Sequence, residues 1–300
     1  MTNKRILVWL EWPEACFRVD AKALRFLRAA VAPGDTVRRV TSASAFLREL
    51  PRATHAIVWE FKKEWFARAP RLRVLATPAA GRELVAWRDA PAHVNVHFGA
   101  FHGEIIAESV AAFCLAWARG FFAVKPPIWP RANFGSVCYE VKGTTAVVAG
   151  YGRIGTAIGE KLSALGVTVR GFTRKNAAEL PRAAKDADWF ILALPSDTGT
   201  DDFLNAKLIA RLPRRCVVVN VGRGNAVDEA ALRAALESGR LAGAYLDVFK
   251  SEPTALNKGG AVRRGLWDGC RNLVAMPHSA AFSPRYIERC FAELKDEGLV

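Results

Sequence analysis

The sequence predicts an α/β protein with two doubly wound sheets of parallel strands. Short apolar stretches rich in β-branched residues alternate with helical segments along nearly the whole chain, in two separate series. A long and mostly apolar helical segment lies between the two series. A chain of 300 residues is long enough for two domains that each bury their own core.

The first series occupies the first third of the chain. A serine side chain can cap a helix by accepting a backbone N–H, so its second helix is expected to begin at Ser42 or Ser44. The series predicts a small parallel α/β domain. Strands are predicted at 5–10, 36–40, 55–59, 73–77 and 94–96, and helices at 21–30, 44–50 and 64–67.

The second series follows the helical segment at 102–120. This segment is apolar on more than one side, so we expect it to be buried between units or between subunits. Six strands separated by helices are typical of one doubly wound sheet, and a last helix is predicted at 283–294. The six strands are predicted at 146–149, 168–172, 189–192, 216–220, 243–246 and 273–275.

A glycine pattern joins the first strand of this series to a helix predicted at 154–165. Gly150 suits the tight turn, Gly152 lets the backbone approach a pyrophosphate, and Gly155 lets the helix and strand pack closely. The N-terminus of the helix offers N–H groups and a partial positive charge to the phosphates. The pattern predicts a dinucleotide site, and an ordinary strand–helix turn is the alternative.

The residues after the second strand indicate which nucleotide binds. An NAD site usually places a carboxylate there for the ribose hydroxyls, but this chain has Thr173, Arg174 and Lys175. An arginine can bind a 2′-phosphate through two charge-assisted hydrogen bonds. We therefore expect NADP(H) to be preferred, with Arg174 as the main contact, while NAD(H) remains usable. The alternative is a solvated Arg–Lys pair on a loop.

The charge balance limits the classes of partner. The formal net charge is +14, but the lysines and arginines are dispersed rather than gathered in one arm or helix. Such a surface attracts anionic substrates and cofactors and does not identify a specific nucleic-acid reader.

Other features argue against a metal centre, a signal peptide and a membrane span. The six cysteines contain no C-x-x-C pair, which predicts reduced thiols. His93, His97 and His102 are interpreted as strand and loop positions, so no metal site is expected. Glu11 interrupts the first apolar run, and no run approaches the roughly 18 residues that a membrane span needs. We expect a cytoplasmic protein that does not contact membranes.

Polar residues follow the last three predicted strands of the second series. Arg223 follows the fourth strand, Asp247 and Glu252 follow the fifth, and His278 follows the sixth. Ligands bind at the carboxyl ends of strands in such sheets. A protonated histidine can deliver a proton to an oxygen, a carboxylate can orient that histidine, and an arginine can bind a 2-oxo acid. The set predicts hydride transfer at a carbon that carries an oxygen.

These segments resemble the motifs of the D-isomer-specific 2-hydroxyacid dehydrogenase family. The resemblance covers nearly the whole chain and is specific from Glu104 onward. It rests on Ile106-Ala-Glu108, Leu194-Pro195 with Thr200, Asn220-Val-Gly-Arg-Gly224, Leu246-Asp-Val-Phe-x-x-Glu-Pro253 and Pro277-His-Ser-Ala280.

The resemblance implies a role for each matched residue. Arg223 would bind the substrate carboxylate and polarise the carbonyl, Glu252 would orient and charge His278, and His278 would be the acid in reduction and the base in oxidation. Ala80 and Gly81 would contact the substrate. Beside the glycines and residues 173–175, the cofactor contacts would be Arg153, Ile154, Leu194, Pro195, Thr200, Val221 and Asp247, the last holding the nicotinamide carboxamide.

The resemblance also implies an architecture. Two Rossmann-like domains are expected, with the dinucleotide-binding domain, 99–278, inserted in a substrate domain formed by 1–98 and 279–300. A homodimer is expected through the helix after residue 102 and an arm near Trp129. The segment 254–264 is longer and more basic than the family's usual link, and a flap over the site is one interpretation of it.

The leading hypothesis for function is reduction of a small 2-oxo acid, such as glyoxylate or hydroxypyruvate, to a D-2-hydroxy acid. The alternative is a nucleotide-sensing binding module without catalysis, similar to corepressors built on this fold. The presence of Arg223, Glu252 and His278 together argues against the alternative, because a sensor needs no proton donor.

Overall fold

The computed structural model describes residues 3–123, 137–252 and 267–300. The chain forms two compact units, one from the chain up to His102 together with Phe282–Val300, and the other from Gly103–Ala281. The second unit is therefore inserted in the first, as the sequence predicts. The domain boundaries predicted from the sequence, after residue 98 and before residue 279, each lie a few residues earlier. The predicted arm near Trp129 and the segment 254–264 lie outside the described residues.

The first unit contains a sheet of five parallel strands in the order β2-β1-β3-β4-β5. Ser42, and not Ser44, caps α2 by accepting the N–H of Ala45. The helix predicted at 64–67 is instead a 3₁₀ helix, Lys63–Arg68. The elements are β1 (Arg5–Trp9), α1 (Ala21–Ala30), β2 (Thr36–Arg39), α2 (Ala43–Glu49), β3 (His55–Val58), β4 (Val74–Thr77) and β5 (Asn95–Phe98).

The second unit contains a sheet of six parallel strands in the order β11-β10-β9-β8-β6-β7. All six predicted strands are present, with ends that agree to within one residue. The elements are α3 (His102–Ala118), β6 (Thr145–Ala149), α4 (Arg153–Ala164), β7 (Thr168–Phe172), α5 (Leu180–Ala183), β8 (Trp189–Leu192), α6 (Ala206–Ile209), β9 (Val217–Asn220), α7 (Glu229–Glu237), β10 (Gly243–Leu246) and β11 (Leu273–Ala275).

Both faces of the second sheet are covered, because alternate residues of its strands enter two different cores. Val147 and Phe190 belong to one core, whereas Val148 and Trp189 belong to the other. The second core includes the apolar side of α3, so α3 is buried against the sheet of its own unit. This packing buries one side of α3 within its own unit, and the expected burial between units or between subunits stays a prediction.

The order of strands locates the binding edge of the second unit. β6 pairs with β7 on one side and with β8 on the other, so the chain reverses its direction across the sheet beside β6. In parallel sheets, ligands bind beyond the carboxyl ends of the strands at such a reversal. The glycine loop after β6 lies at this position.

The chain ends in the first unit with α8 (Tyr286–Asp296), which begins later than predicted because Ser283 forms a turn before it. An ion-pair cluster joins α8 to the end of β5: His97 Nε2 lies 2.6 Å from Glu293 Oε1, and His97 Nδ1 lies 3.1 Å from Glu297 Oε2. Glu293 also accepts the N–H of Ala100. In the described parts of the chain, no helix combines the length and apolar content that crossing a bilayer requires.

Candidate active site

The glycine loop between β6 and α4 has the geometry that each glycine was predicted to provide. Gly150 has a φ of +93°, and a Cβ there would lie 2.5 Å from the carbonyl oxygen of Ala193. A Cβ on Gly155 would lie 2.3 Å from the Gly150 carbonyl oxygen, so this glycine lets α4 pack on the strand. A Cβ on Gly152 would meet no atom within 4 Å. The backbone at Gly152 therefore faces open space, where a pyrophosphate can approach.

The N-terminus of α4 fits an anionic group. Gly152 occupies the N-cap position, no side chain caps the helix, and no acidic residue lies in its first turn. The N–H groups at Arg153 and Ile154 thus have neither a side-chain acceptor from the cap nor an acidic residue in the same turn of the helix. Twelve residues of helix add a partial positive charge at this end. Together with the open approach at Gly152, the loop fits the pyrophosphate of a nicotinamide dinucleotide.

The loop after β7 is organised by Asn176, which the sequence analysis did not single out. Its Oδ1 accepts the N–H of Thr173 at 2.7 Å and the Thr173 hydroxyl at 3.2 Å, while its Nδ2 donates to the carbonyl of Gly171. Arg174 and Lys175 are exposed on this loop. Asparagine side chains commonly form such turns in polar loops, so the sequence could have predicted that Asn176 organises this one.

Arg174 forms an ion pair that the sequence did not predict. Its Nη2 donates to Asp197 Oδ2 at 2.6 Å. Asp197 lies on the loop after β8, beyond Leu194 and Pro195. Nothing in the sequence spacing indicates this contact, because it joins loops that follow two different strands.

Thr200 holds the loop after β8 together. Its hydroxyl donates toward the carbonyls of Pro195 and Asp197, both at 2.8 Å, and it accepts the N–H of Asp197 at 3.1 Å. Thr200 is only 7% exposed. The described contacts of this residue, predicted to bind cofactor, thus position the loop around Leu194 and Pro195.

Arg223 follows β9 on a turn that Asn220 organises. The Asn220 Oδ1 accepts the N–H of Gly222, and its Nδ2 donates to the carbonyl of Arg223, both at 3.1 Å. Arg223 Nη1 donates to the Gly222 carbonyl at 2.9 Å. Val221 is buried beside this turn, and its N–H donates to the Leu192 carbonyl, which ties it to the end of β8.

Glu252 and His278 form a direct pair. Glu252 Oε2 lies 2.7 Å from His278 Nδ1, and the histidine side chain remains half exposed at 50%. His278 has a φ of +54°, a left-handed conformation that is uncommon for residues other than glycine and that clusters at functional sites. The pair leaves Nε2 on the far side of the ring from Glu252.

The surroundings of Glu252 keep it ionised. Burial raises the pKa of the Glu252 carboxyl, but the hydrogen bond and charge of His278, the N–H of Phe249 and the charge of Arg223 together lower this pKa below its ordinary value. The charge of Arg223 thus acts on the same carboxylate that contacts the imidazole. A carboxylate bonded to one imidazole nitrogen fixes the tautomer and favours the charged ring.

Asp247 has structural contacts at the end of β10. It is 2% exposed, its Oδ1 accepts the N–H of Ser279 at 2.8 Å, and both oxygens accept the N–H of Ala280. Burial raises the pKa of Asp247, and the two backbone bonds act against that increase. Asp247 therefore anchors the segment that carries His278.

Ala80 and Gly81 lie in the first unit, on the loop after β4. The carbonyl of Ala79 in this loop accepts the N–H of Gly99 at 3.1 Å. Arg82, directly after Gly81, stacks over Trp87 and Phe98 with its guanidinium carbon 5.0 and 5.2 Å from the two ring centroids. The other predicted site residues all lie in the second unit.

Comparisons with known proteins identify the family to which the chain is similar. Residues 113–280 match the family model described as D-isomer specific 2-hydroxyacid dehydrogenase, NAD binding domain. A glycerate dehydrogenase of Methylorubrum extorquens is 27% identical in an alignment of 281 residues that covers 88% of this chain and 84% of the relative. A glyoxylate reductase of Pyrococcus furiosus is 31% identical in an alignment of 213 residues that covers 64% of this chain and 63% of the relative.

A solved structure supports the same conclusion. A D-isomer specific 2-hydroxyacid dehydrogenase from Xanthobacter autotrophicus Py2, in complex with NADPH and MES, has a TM-score of 0.75 and 27% identity. The similarity covers 98% of this chain and 95% of that one. The chain therefore belongs to the D-isomer specific 2-hydroxyacid dehydrogenase family, whose members are oxidoreductases that act on small 2-hydroxy or 2-oxo acids with a nicotinamide cofactor.

Proposed function

We propose that this protein reduces a small 2-oxo acid, of the size of glyoxylate or hydroxypyruvate, to the D-2-hydroxy acid, with NADPH as the preferred cofactor. The observation that carries the proposal is the 2.7 Å contact between Glu252 and His278, and the charge of Arg223 adds to the lowering of the Glu252 pKa. The matched relatives named glycerate dehydrogenase and glyoxylate reductase support substrates of this size. The D configuration follows from the family.

In the proposed mechanism, Arg223 binds the substrate carboxylate and polarises the 2-oxo group. The reduced nicotinamide, when bound, supplies the hydride that reaches the carbonyl carbon. His278 donates the proton from Nε2 to the carbonyl oxygen as the carbon–oxygen double bond becomes a single bond. Glu252, on Nδ1, holds the ring in place and stabilises the imidazolium before transfer. In oxidation His278 takes the proton back.

The cofactor is proposed to lie along the carboxyl edge of the second sheet. Its pyrophosphate would contact the backbone at Gly152, Arg153 and Ile154, where the structure leaves open space and an uncapped helix end. Gly150 and Gly155 allow this loop geometry. The loops carrying Leu194, Pro195, Thr200, Val221 and Asp247 would enclose the nicotinamide end.

The preference for NADPH is proposed from Arg174, with Thr173 and Lys175 on the same loop. The Arg174 side chain is 88% exposed at the end of β7, where the adenosine ribose binds in folds of this type. A guanidinium binds the doubly charged 2′-phosphate of NADPH more strongly than it binds the ribose 2′-hydroxyl of NADH. The similar solved structure that contains NADPH supports this choice.

Initial rates with NADPH and NADH, measured with glyoxylate, hydroxypyruvate, pyruvate and phenylpyruvate, test the proposal. We expect turnover of glyoxylate or hydroxypyruvate, with a higher kcat/KM for NADPH than for NADH. Equal or better efficiency with NADH would contradict the cofactor preference. Tight NADPH binding without turnover of any acid would instead favour the nucleotide-sensing alternative.

A homodimer is proposed from the surface at the end of α3. Large apolar side chains are exposed there, and the N–H of Tyr139 donates to the carbonyl of Ala118, which brings the two stretches of chain together. An exposed apolar patch of this kind marks an association surface. Light scattering during size-exclusion chromatography tests it, and a monomeric mass at micromolar concentration would contradict it. The exposed side chains are Leu115, Phe121, Phe122, Val137 and Tyr139.

A further inference from the structure

The ion pair between Arg174 and Asp197 crosses the end of the strand that carries the glycine loop. Arg174 follows β7, Asp197 follows β8, and β6 lies between these strands in the sheet. Adjacent strands are about 4.8 Å apart, so the two side chains extend toward each other above β6. Their contact of 2.6 Å therefore spans the edge where the adenosine half of a dinucleotide binds.

Asp197 is the more buried and more firmly held member of this pair, and Arg174 is the more exposed one. Asp197 Oδ1 accepts the N–H of Gly199 at 2.9 Å, and its own N–H donates to the buried hydroxyl of Thr200 at 3.1 Å. Asp197 is 35% exposed, in contrast to the highly exposed guanidinium of Arg174. The loop after β8 thus holds the carboxylate in place, and the arginine can leave it without disturbing packed residues.

Asp197, on the loop after β8, supplies the carboxylate that is missing at the end of β7. An NAD site uses an acidic residue after the second strand to accept hydrogen bonds from the ribose hydroxyls. Thr173 occupies that position here, and its hydroxyl donates to Asn176. Asp197, through its contact with Arg174, places a carboxylate at the same end of the sheet.

We propose that Asp197 determines how strongly the protein discriminates between the two cofactors. Its carboxylate accepts a hydrogen bond from the ribose 2′-hydroxyl of NADH, whereas with NADPH it competes with the 2′-phosphate for Arg174 and repels that phosphate. The inference rests on the proposed role of Arg174 in NADPH binding, and it makes Asp197 the residue that preserves the use of NADH.

The relative strength of the interactions supports an exchange of partners. An exposed Arg–carboxylate pair contributes little to stability because water and salt screen it, so Arg174 leaves Asp197 at small cost. A phosphate offers the guanidinium two charge-assisted hydrogen bonds and a second negative charge. The Asp197 carboxylate then remains beside the 2′-phosphate and weakens NADPH binding, since like charges repel. NADPH therefore binds, but less tightly than it would without Asp197.

The Asp197→Asn variant separates these effects, because an asparagine Oδ1 still accepts the N–H of Gly199 and preserves the turn. Binding of NADPH and NADH is measured by quenching of tryptophan fluorescence, which requires no substrate. We expect the Kd of NADPH to fall and that of NADH to rise, each by about 2- to 10-fold. Asp186→Asn is the matched control, because Asp186 pairs with Arg170 of β7 at 2.9 Å and the change in charge is the same.

Weaker NADPH binding by Asp197→Asn would overturn the inference, since it would show that Asp197 only orients Arg174. An unchanged ratio of the two Kd values, or the same change in the Asp186 control, would also overturn it. Arg174→Ala tests the proposed function separately. If this variant binds NADPH as well as the wild type does, the proposed role of Arg174 fails. If it binds NADPH weakly while Asp197→Asn leaves the ratio unchanged, the inference alone fails.

Discussion

The chemistry proposed for this protein depends on how individual side chains are held. His278 lies in a left-handed backbone conformation. The Asp247 carboxylate accepts the N–H groups of the next two residues, Ser279 and Ala280. Glu252 then fixes the ring through Nδ1. The strained backbone, the buried aspartate and the carboxylate together orient one imidazole nitrogen away from Glu252, as a proton donor requires.

Replacing Glu252 by glutamine tests the value of the carboxylate. The amide has nearly the same shape but carries no charge, so it stabilises the imidazolium less. We expect kcat to fall by about 10- to 100-fold, with an unchanged Kd for NADPH. The exposed Glu237, which pairs with Arg233 in the same unit, provides the control variant Glu237→Gln. An unchanged kcat in Glu252→Gln would show that the carboxylate is not needed.

The sequence predicts some of these residues and misses others for a physical reason. Arg223, Glu252 and His278 each follow a strand of one parallel sheet, and the carboxyl ends of such strands lie at one edge. Asn176, Asp197 and Asn220 act through contacts that depend on the conformations of loops. A contact such as that of Asp197 with Arg174 joins loops 23 residues apart in the chain, which no periodicity indicates.

The start of α4 is the element proposed to bind the cofactor, and substitutions of its N-cap Gly152 and of Gly155 in the first turn should have opposite effects. In Gly152→Ala the new Cβ meets no protein atom, so stability should be nearly unchanged while the methyl group obstructs the pyrophosphate. In Gly155→Ala the Cβ lies against the Gly150 carbonyl, so the free energy of unfolding should fall by about 1–3 kcal/mol.

Thermal unfolding and fluorescence titration with NADPH measure the two effects on the same samples. We expect Gly152→Ala to raise the Kd of NADPH by about 10-fold or more with a wild-type midpoint of unfolding. A destabilised Gly152→Ala variant, or one that binds NADPH normally, would contradict the geometry described for this loop.

The helix α8 depends on an ionised carboxylate. Burial raises the pKa of Glu293, but its bonds to His97 and to the N–H of Ala100 lower this pKa below its ordinary value of 4.5. A lowered pKa in the folded state stabilises the protein above the ordinary pKa, and this contribution is lost as the pH falls through the folded value. Glu293→Gln should therefore cost about 1–3 kcal/mol near pH 7.

Urea unfolding of the wild type and Glu293→Gln at several pH values checks this. The difference in the free energy of unfolding should be largest near neutral pH and should shrink as the pH falls below 4.5. Glu288→Gln is the control on the same helix, since Glu288 pairs with the exposed Lys22. A difference that does not change with pH would mean that the charge of Glu293 is unimportant.

In the molecule as a whole, the two series of elements were predictable because alternating strands and helices fix the fold class, and the insertion of one unit in the other was implied by the family resemblance. The order of strands was not predicted, since it depends on pairing between distant segments. That order places β6 between β7 and β8, and it brings Arg174 and Asp197 together.

The net charge of +14 makes a prediction for the whole molecule. A positive surface attracts an anionic acid and an anionic cofactor, and salt screens that attraction. Raising NaCl from 20 mM to about 0.5 M should lower kcat/KM by about 3- to 10-fold, with kcat nearly constant. Potassium acetate at equal ionic strength distinguishes screening of the surface charge from specific binding of chloride. A kcat/KM that does not respond to either salt would exclude electrostatic attraction of the substrate and cofactor.

The proposed mechanism depends on His278, which donates the proton in an NADPH-dependent reduction of a small 2-oxo acid. The most direct measurement compares the kcat of the wild type, His278→Gln and the exposed control His93→Gln, together with the Kd of NADPH for each. We predict that His278→Gln loses kcat by about 100-fold or more while it binds NADPH normally, and that His93→Gln behaves as the wild type. Retention of wild-type kcat in His278→Gln would show that His278 is not the proton donor.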